Sequence, residues 1–99
     1  MLTADARKRL QRRSPAWWRD GIPTRADRVH DLIAELVRLD PTAAGRAAPE
    51  RPEHEATLAD QLTVVAYDLR RAVEDGHDVD VEAVEAAVAR GLRDVDPRP

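Results

Sequence analysis

Cysteine and phenylalanine are absent from this 99-residue sequence, and serine and lysine each occur once. Without cysteine the chain can form no disulfide, no zinc–thiolate site and no thiol nucleophile. A catalytic set of nucleophile, base and orienting group needs several reactive side chains to converge, and the sequence offers Ser14 and three histidines. We therefore expect a protein that is not an enzyme and needs no cofactor.

Two short segments combine histidine with carboxylates, EHE at 53–55 and DGHDVD at 75–80. Neither has the spacing of a calcium loop, in which alternating acids precede the glycine and a glutamate closes the loop. The acids of the second segment suit the start of a helix. His30 lies at the edge of an apolar helical face, which suits a half-buried position. We therefore predict no metal site.

Long hydrophobic runs are also missing, since no uninterrupted apolar stretch exceeds the length of VVAY at 64–67. Such runs are too short for a membrane span or for the core of a signal peptide. We therefore expect a cytoplasmic protein. Fifteen arginines against one lysine, together with 17 alanines, are typical of a GC-rich coding sequence and predict a bacterial origin.

Charge is distributed unevenly along the chain, although the net charge is only −3. Residues 1–13 carry five basic groups against a single aspartate, whereas residues 40–99 carry fourteen acidic groups against seven basic ones. A basic arm on an acidic body can bind nucleic acid, an acidic partner or its own body.

Apolar residues recur at steps of three and four, and no segment alternates apolar and polar residues as a strand would. The sequence thus predicts an all-α fold, a small bundle of three core helices plus an amino-terminal helix. The four predicted helices span 3–13, 24–39, 57–75 and 80–94. Suitable N-caps are Thr3, Thr24, Thr57 and either Asp78 or Asp80, and Gly76 suits the left-handed residue after the third helix.

The predicted core lies on one face of each of the last three helices. The short loop after residue 75 predicts that the last two of them form an antiparallel hairpin. The predicted core residues are Val29, Leu32, Ile33, Leu36 and Val37, then Leu58, Leu62, Val65, Leu69 and Ala72, and finally Val81, Val84, Val88, Leu92 and Val95.

A chain of this length predicts a single domain over residues 1–99. Residues 40–56 are rich in proline, alanine and charge and contain no large apolar residue. We interpret them as a long flexible linker that allows a crossover between helices. Residues 96–99 are predicted to be a disordered tail.

Two of the three aromatic residues, Trp17 and Trp18, stand side by side within SPAWWRDGIPTR at 14–25. We expect an irregular connection here, because Ser14-Pro15 is typical of the end of a helix. Consecutive side chains diverge in such a segment, so one indole should be buried and the other exposed. The buried indole would supply bulk that an alanine-rich core lacks.

The segment 57–75 carries a second apolar patch opposite its core face, formed by Val64 and Tyr67. A helix that buries only one face does not place its sole tyrosine there, so the tryptophan segment or a partner should cover this patch. Tryptophan, tyrosine and arginine are enriched at interface hot spots, and an arginine adjoins both aromatic groups. The predicted protein interface is Trp17, Trp18, Arg19, Val64, Tyr67 and Arg71.

The basic segment RKRLQRR at 7–13 is suited to contacts with phosphates. Its charges spread around most of the helix circumference, however, and the acidic remainder of the chain would repel a phosphate backbone. The function predicted first is therefore a protein-binding adaptor or regulatory module, whose partner is another protein or a second copy in a homodimer. The alternative is nucleic-acid binding through Arg7, Lys8, Arg9, Arg12 and Arg13.

Overall fold

The computed structural model describes residues 2–43 and 49–95 and contains no strand within those ranges. The predicted all-α bundle is confirmed, with one short helix more than the four predicted. A 3₁₀ helix spans Pro41–Ala43. The five α-helices of the described residues are α1 (Ala4–Gln11), α2 (Pro15–Arg19), α3 (Arg25–Leu39), α4 (Thr57–Glu74) and α5 (Val81–Val95).

Side chains cap four of these helices. The Thr3 hydroxyl accepts a hydrogen bond from the backbone N–H of Ala6 at the start of α1. Thr24 and Asp27 form a reciprocal capping box at the start of α3, and an oxygen of Asp80 accepts from the N–H of Ala83 in α5. These caps confirm the predicted starts of α1, α3 and α5, while Ser14 caps α2.

The predicted cap of α4 is wrong by one position. Thr57 is the first residue of the helix, and Ala56 occupies the cap position without a side-chain hydrogen bond. The N–H groups of Thr57, Leu58 and Ala59 instead donate to backbone carbonyls of residues 54–56. The preceding turn therefore satisfies the donors that a threonine hydroxyl was expected to satisfy.

Gly76 ends α4 as predicted, with a φ of 83° in the left-handed region. The N–H of Gly76 donates to the carbonyl of Val73, and the N–H of His77 donates to the carbonyl of Ala72. This pair of bonds is the Schellman arrangement, which closes the last turn of a helix.

The position of α3 between α4 and α5 overturns the predicted hairpin. Both α4 and α5 pack mainly against α3 and hardly against each other. Gly91 of α5 makes room for Leu32, because a Cβ at Gly91 would lie 2.9 Å from Leu32 Cδ2. Arg90 also donates to Glu35 at 2.8 Å. The apolar face of α3 is wide enough to receive a helix on each side.

Most of the predicted core is confirmed. All five predicted residues of α4 are buried, and in α5 the exceptions are Val81, which is exposed, and Leu92, which is half-buried. Val37 of α3 is also half-buried. Buried residues that the spacing did not single out include Leu10, Trp18, Ala26, Ala59 and Ala66.

The connection after α3 begins with a turn in which Asp40 and Ala43 are buried and Pro41 and Thr42 are exposed. The Asp40 carboxylate, with 5% of its surface exposed, accepts hydrogen bonds from the backbone N–H of Thr42 at 2.8 Å and from its hydroxyl at 2.6 Å. Ala43, at the end of the 3₁₀ helix, is buried as well. These residues anchor the connection at the carboxyl end of α3.

The same connection then returns to the amino end of α3. Arg51 forms an ion pair with Asp27 in the first turn of α3, and Glu55 pairs with Arg19 of α2. The crossover lets α4 start near the beginning of α3. The predicted flexibility of 40–56 stays a prediction, and its residues 44–48, like the predicted tail at 96–99, lie outside the described residues.

The pair between Arg51 and Asp27 should be measurable by titration. The hydrogen bond from Arg51, followed by those from Thr24, holds the pKa of Asp27 below its usual value. A lowered carboxyl pKa contributes stability above the ordinary aspartate pKa, and this contribution is lost as the pH falls through the lowered value. We expect Arg51→Gln to raise the Asp27 pKa in an NMR titration.

The exposed Arg38, at the other end of α3, provides the matched control. The variant Arg38→Gln should leave the Asp27 titration unchanged. If the pKa of Asp27 does not change in Arg51→Gln, the returning connection is not held against α3 in solution.

Candidate functional site

The tryptophan pair lies on helix α2, not in an irregular connection as predicted. Ser14 and Pro15 begin a helix here, since the Ser14 hydroxyl accepts from the N–H of Trp17 at 3.2 Å and proline suits the first helical position. The two indoles still differ in burial, because consecutive helical residues are rotated by about 100°. Their rings meet edge to face, with centroids 5.0 Å apart.

Trp18 is a core residue, with 0% of its surface exposed. It belongs to the same cluster of buried side chains as Leu10, Ile33 and Leu62. The prediction that at least one indole anchors the core is therefore confirmed. Trp18 has no exposed surface to offer a partner, which removes it from the candidate interface.

Trp17 is half-buried and packs against residues of its own chain. The guanidinium groups of Arg13 and Arg25 each lie 4.9 Å from the centroid of its ring. Arg25 also donates to the Trp17 carbonyl and to Asp20, both at 3.1 Å. The cation–π contacts that an interface tryptophan would offer to a partner are thus made within the chain.

Arg19 connects α2 to the crossover connection. Its Nε donates to Glu55 Oε1 at 2.7 Å. This hydrogen bond and its charge attraction raise the pKa of Arg19 and lower the pKa of Glu55. Arg19 therefore has a partner within the chain.

Val64, Tyr67 and Arg71, called the α4 face from here on, form an exposed ridge on α4. Val64 is 58% exposed and Tyr67 57% exposed, as the prediction of a second patch opposite the core requires. A hydrogen bond to Tyr67, with Asp75 and Glu74 nearby, raises the pKa of Arg71. An aliphatic side chain, an aromatic ring and a cation thus lie side by side.

The structure separates the α4 face from α2. Arg19 contacts Glu55 just before α4 begins, whereas Tyr67 lies about 15 Å further along the helix axis. The six residues predicted to form one interface therefore lie in two separate regions, α2 and the α4 face. The reason is that α2 packs against α3 and not over α4.

The five basic residues of 7–13 differ in their exposure and in their contacts. Lys8 and Arg12 are exposed, and Arg7, Arg9 and Arg13 are half-buried. Arg13 lies over Trp17, and α1 ends at Gln11, before the last two arginines. These residues do not form one basic stripe.

The described residues hold no group of three or more histidine, cysteine, aspartate or glutamate side chains placed to bind a metal ion. Over the same residues, each helix is too short or too polar to cross a lipid bilayer. The chain matches no known family model, and neither a characterised protein nor a solved structure shows significant similarity to it. The function is therefore inferred from the surfaces of the molecule.

Proposed function

We propose that this protein is a non-enzymatic binding module that recognises another protein through its α4 face, as a cytoplasmic adaptor or regulator. The observation that carries the proposal is the joint exposure of Val64 and Tyr67 on the same ridge as Arg71. With Trp17 and Trp18 packed into the fold, Tyr67 is the aromatic residue with most of its surface free. Tyrosine and arginine beside an apolar residue are typical of an interface hot spot.

Site-specific photo-crosslinking tests this proposal. A photoreactive phenylalanine analogue at Val64 should crosslink the full chain to a partner protein in cells. Val81 is the matched control, because it is an exposed valine on a different helix, α5. Crosslinks from position 64 that are no more abundant than those from position 81 would refute the proposal.

The same experiment identifies homodimerisation, since a crosslink between two copies of the chain has a known mass. Self-association through the α4 face is one form of the proposed function. Adding Tyr67→Ala should abolish the crosslink from position 64, whether it forms with another protein or with a second copy of the chain. The melting temperature should stay unchanged, because Tyr67 is exposed.

Nucleic-acid binding through the basic residues of 7–13 is the alternative. The divergence of these side chains argues against it, since a duplex needs several cations on one face. Affinity for DNA that falls by up to about 500-fold between roughly 50 and 200 mM salt, as expected for five phosphate contacts, would favour the alternative. Affinity for a protein partner should change far less over that range.

A further inference from the structure

A hollow lies between α1 and α4, beside the α4 face. Its volume is about 230 Å³, which suits one side chain better than a small-molecule ligand. The helices run antiparallel here, since Gln11 at the end of α1 donates to Asp60 near the start of α4. The residues that shape the hollow include Thr3, Ala4, Arg7, Thr63, Tyr67 and Arg70.

The charge of this hollow is positive. Arg7 and Arg70 contribute two guanidinium groups from opposite walls, and none of the described residues that line the hollow is acidic. Thr3 and Ala4 belong to the start of α1, the end at which the helix dipole is positive. The α1–α4 hollow is therefore complementary to an anion.

Arg7 has unused binding capacity. Its Nε is shielded from solvent and has no hydrogen-bond partner within residues 2–43 and 49–95. A buried donor without a partner is costly, so an acceptor brought by a ligand would relieve that cost. No other arginine of the described chain has its Nε in this state.

Arg70 can exchange its present partner. It donates to Glu74 at 3.2 Å, one helical turn away, and both side chains are exposed. Exposed pairs of this spacing are weak, so an incoming carboxylate can replace Glu74 at little cost. Guanidinium groups bind carboxylates through paired hydrogen bonds, which makes arginine better suited to this task than lysine.

We infer that the α1–α4 hollow receives an aspartate or glutamate side chain from an acidic segment of the partner protein, with Arg7 and Arg70 binding the carboxylate and Tyr67 packing against the adjacent residue. This inference rests on the proposed function, because it names the chemistry of the partner that the α4 face binds. It adds an anion-binding hollow next to the aliphatic, aromatic and cationic groups of the α4 face.

A protein segment fits this surface better than a nucleic acid. A single carboxylate in the hollow approaches one acid, the exposed Glu74 that pairs weakly with Arg70, whereas Asp68 and Asp75 lie beside Tyr67 and Arg71 on the α4 face. A phosphate backbone extends over many charges and would meet these acids along α4. Complementary charge at one point, with repulsion around it, selects a ligand that carries few negative charges.

Peptide selection on the immobilised full chain tests the inference. The probe is a display library of short random peptides, followed by affinity measurements on the peptides recovered. We expect recovered sequences to place an acid beside a large apolar residue. Exchanging that acid for its amide should weaken binding about tenfold or more, as expected for a charge-assisted hydrogen bond.

Variants of the chain test whether the acidic side chain of the peptide binds in the α1–α4 hollow. Arg7→Gln and Arg70→Gln should each weaken binding of the acidic peptide and reduce its preference over the amide peptide, and the double variant should bind the two peptides equally. Arg90→Gln is the control, since Arg90 pairs with Glu35 at the interface of α3 and α5. Because Arg7 is half-buried, Arg7→Lys provides a second variant that keeps the charge and loses the paired geometry.

The outcomes separate the inference from the proposed function. Peptides whose affinity falls with Tyr67→Ala but not with Arg7→Gln or Arg70→Gln would overturn the inference and leave the proposed function standing. Recovery of no Tyr67-dependent peptide would overturn the inference, whereas the proposed function is decided by crosslinking from position 64. A single-stranded oligonucleotide that binds through Arg7 and Arg70 more tightly than the peptides would overturn the inference. The ligand of the hollow would then be a nucleic acid and not an acidic protein segment.

Discussion

Alanine at Leu62 or Leu69 should lower the free energy of unfolding by about 2–5 kcal/mol. Both side chains are fully buried on the core face of α4, where removing the branched end leaves a cavity. Small domains are stable by only about 5–15 kcal/mol, so either change unfolds a large part of the population or brings the protein close to it. Chemical denaturation followed by circular dichroism measures the change.

Val64→Ala is the matched control for this prediction. It removes a branched aliphatic side chain from the same helix, but from a position that is 58% exposed. We expect the free energy of unfolding to change by about 0.5 kcal/mol or less, as at other surface positions. Equal effects at positions 62 and 64 would contradict the orientation of α4.

The two tryptophans should respond very differently to replacement. Trp18→Ala should cost about 3–5 kcal/mol, since the whole ring is buried among the core side chains. Trp17→Ala should cost distinctly less, because its ring is half-buried and its contacts with Arg13 and Arg25 are each worth about 0.5–1 kcal/mol at an accessible site.

Single phenylalanine variants provide an independent optical test. The Trp17→Phe variant, which retains Trp18, should emit at short wavelength and resist acrylamide quenching. The Trp18→Phe variant, which retains Trp17, should emit at longer wavelength and be quenched. Two equally protected indoles at the lowest protein concentration would show that Trp17 is covered more completely than the structure indicates, and a dilution series reports any self-association at this position.

Local signals in the sequence were sufficient for most of the secondary structure. The Thr24 and Asp27 pair and the glycine at position 76 act through neighbouring backbone groups, so their roles can be predicted without knowing the fold. Ser14-Pro15 could not be assigned in this way, because the same pair suits the end of one helix and the start of the next. The burial of Trp18 favours the start of a helix at this pair, and that burial depends on the packing of the whole core.

The arrangement of the helices was less accessible from the sequence. A short loop favours a hairpin of neighbouring helices, and the wide apolar face of α3 overrides that preference by accepting α4 and α5 on two sides. The exposure of Val64 and Tyr67 followed from helical spacing alone. Their separation from Arg19 did not, because it depends on where α2 packs.

The position of Arg70 in the α1–α4 hollow was not predicted from the sequence. Arg70 follows Thr63 and Ala66 at helical spacing along one side of α4, next to Tyr67. Small residues at that spacing are typical of close approach between two helices, and this signal points to the α1–α4 hollow. The partner helix could not be identified from sequence, because α1 has few apolar residues with which to predict its contacts.

The position of α3 between α4 and α5 leads us to expect that α5 opens separately from α1 and α4. Local unfolding breaks the contacts of the element that leaves, and the main helix contacts of α5 are with α3. Amide protons of α5 can therefore exchange with solvent while α1 and α4 stay packed. A ligand bound on the α4 face will slow exchange in α1 and α4 and leave the exchange of α5 unchanged, so α5 provides an internal reference within the same molecule.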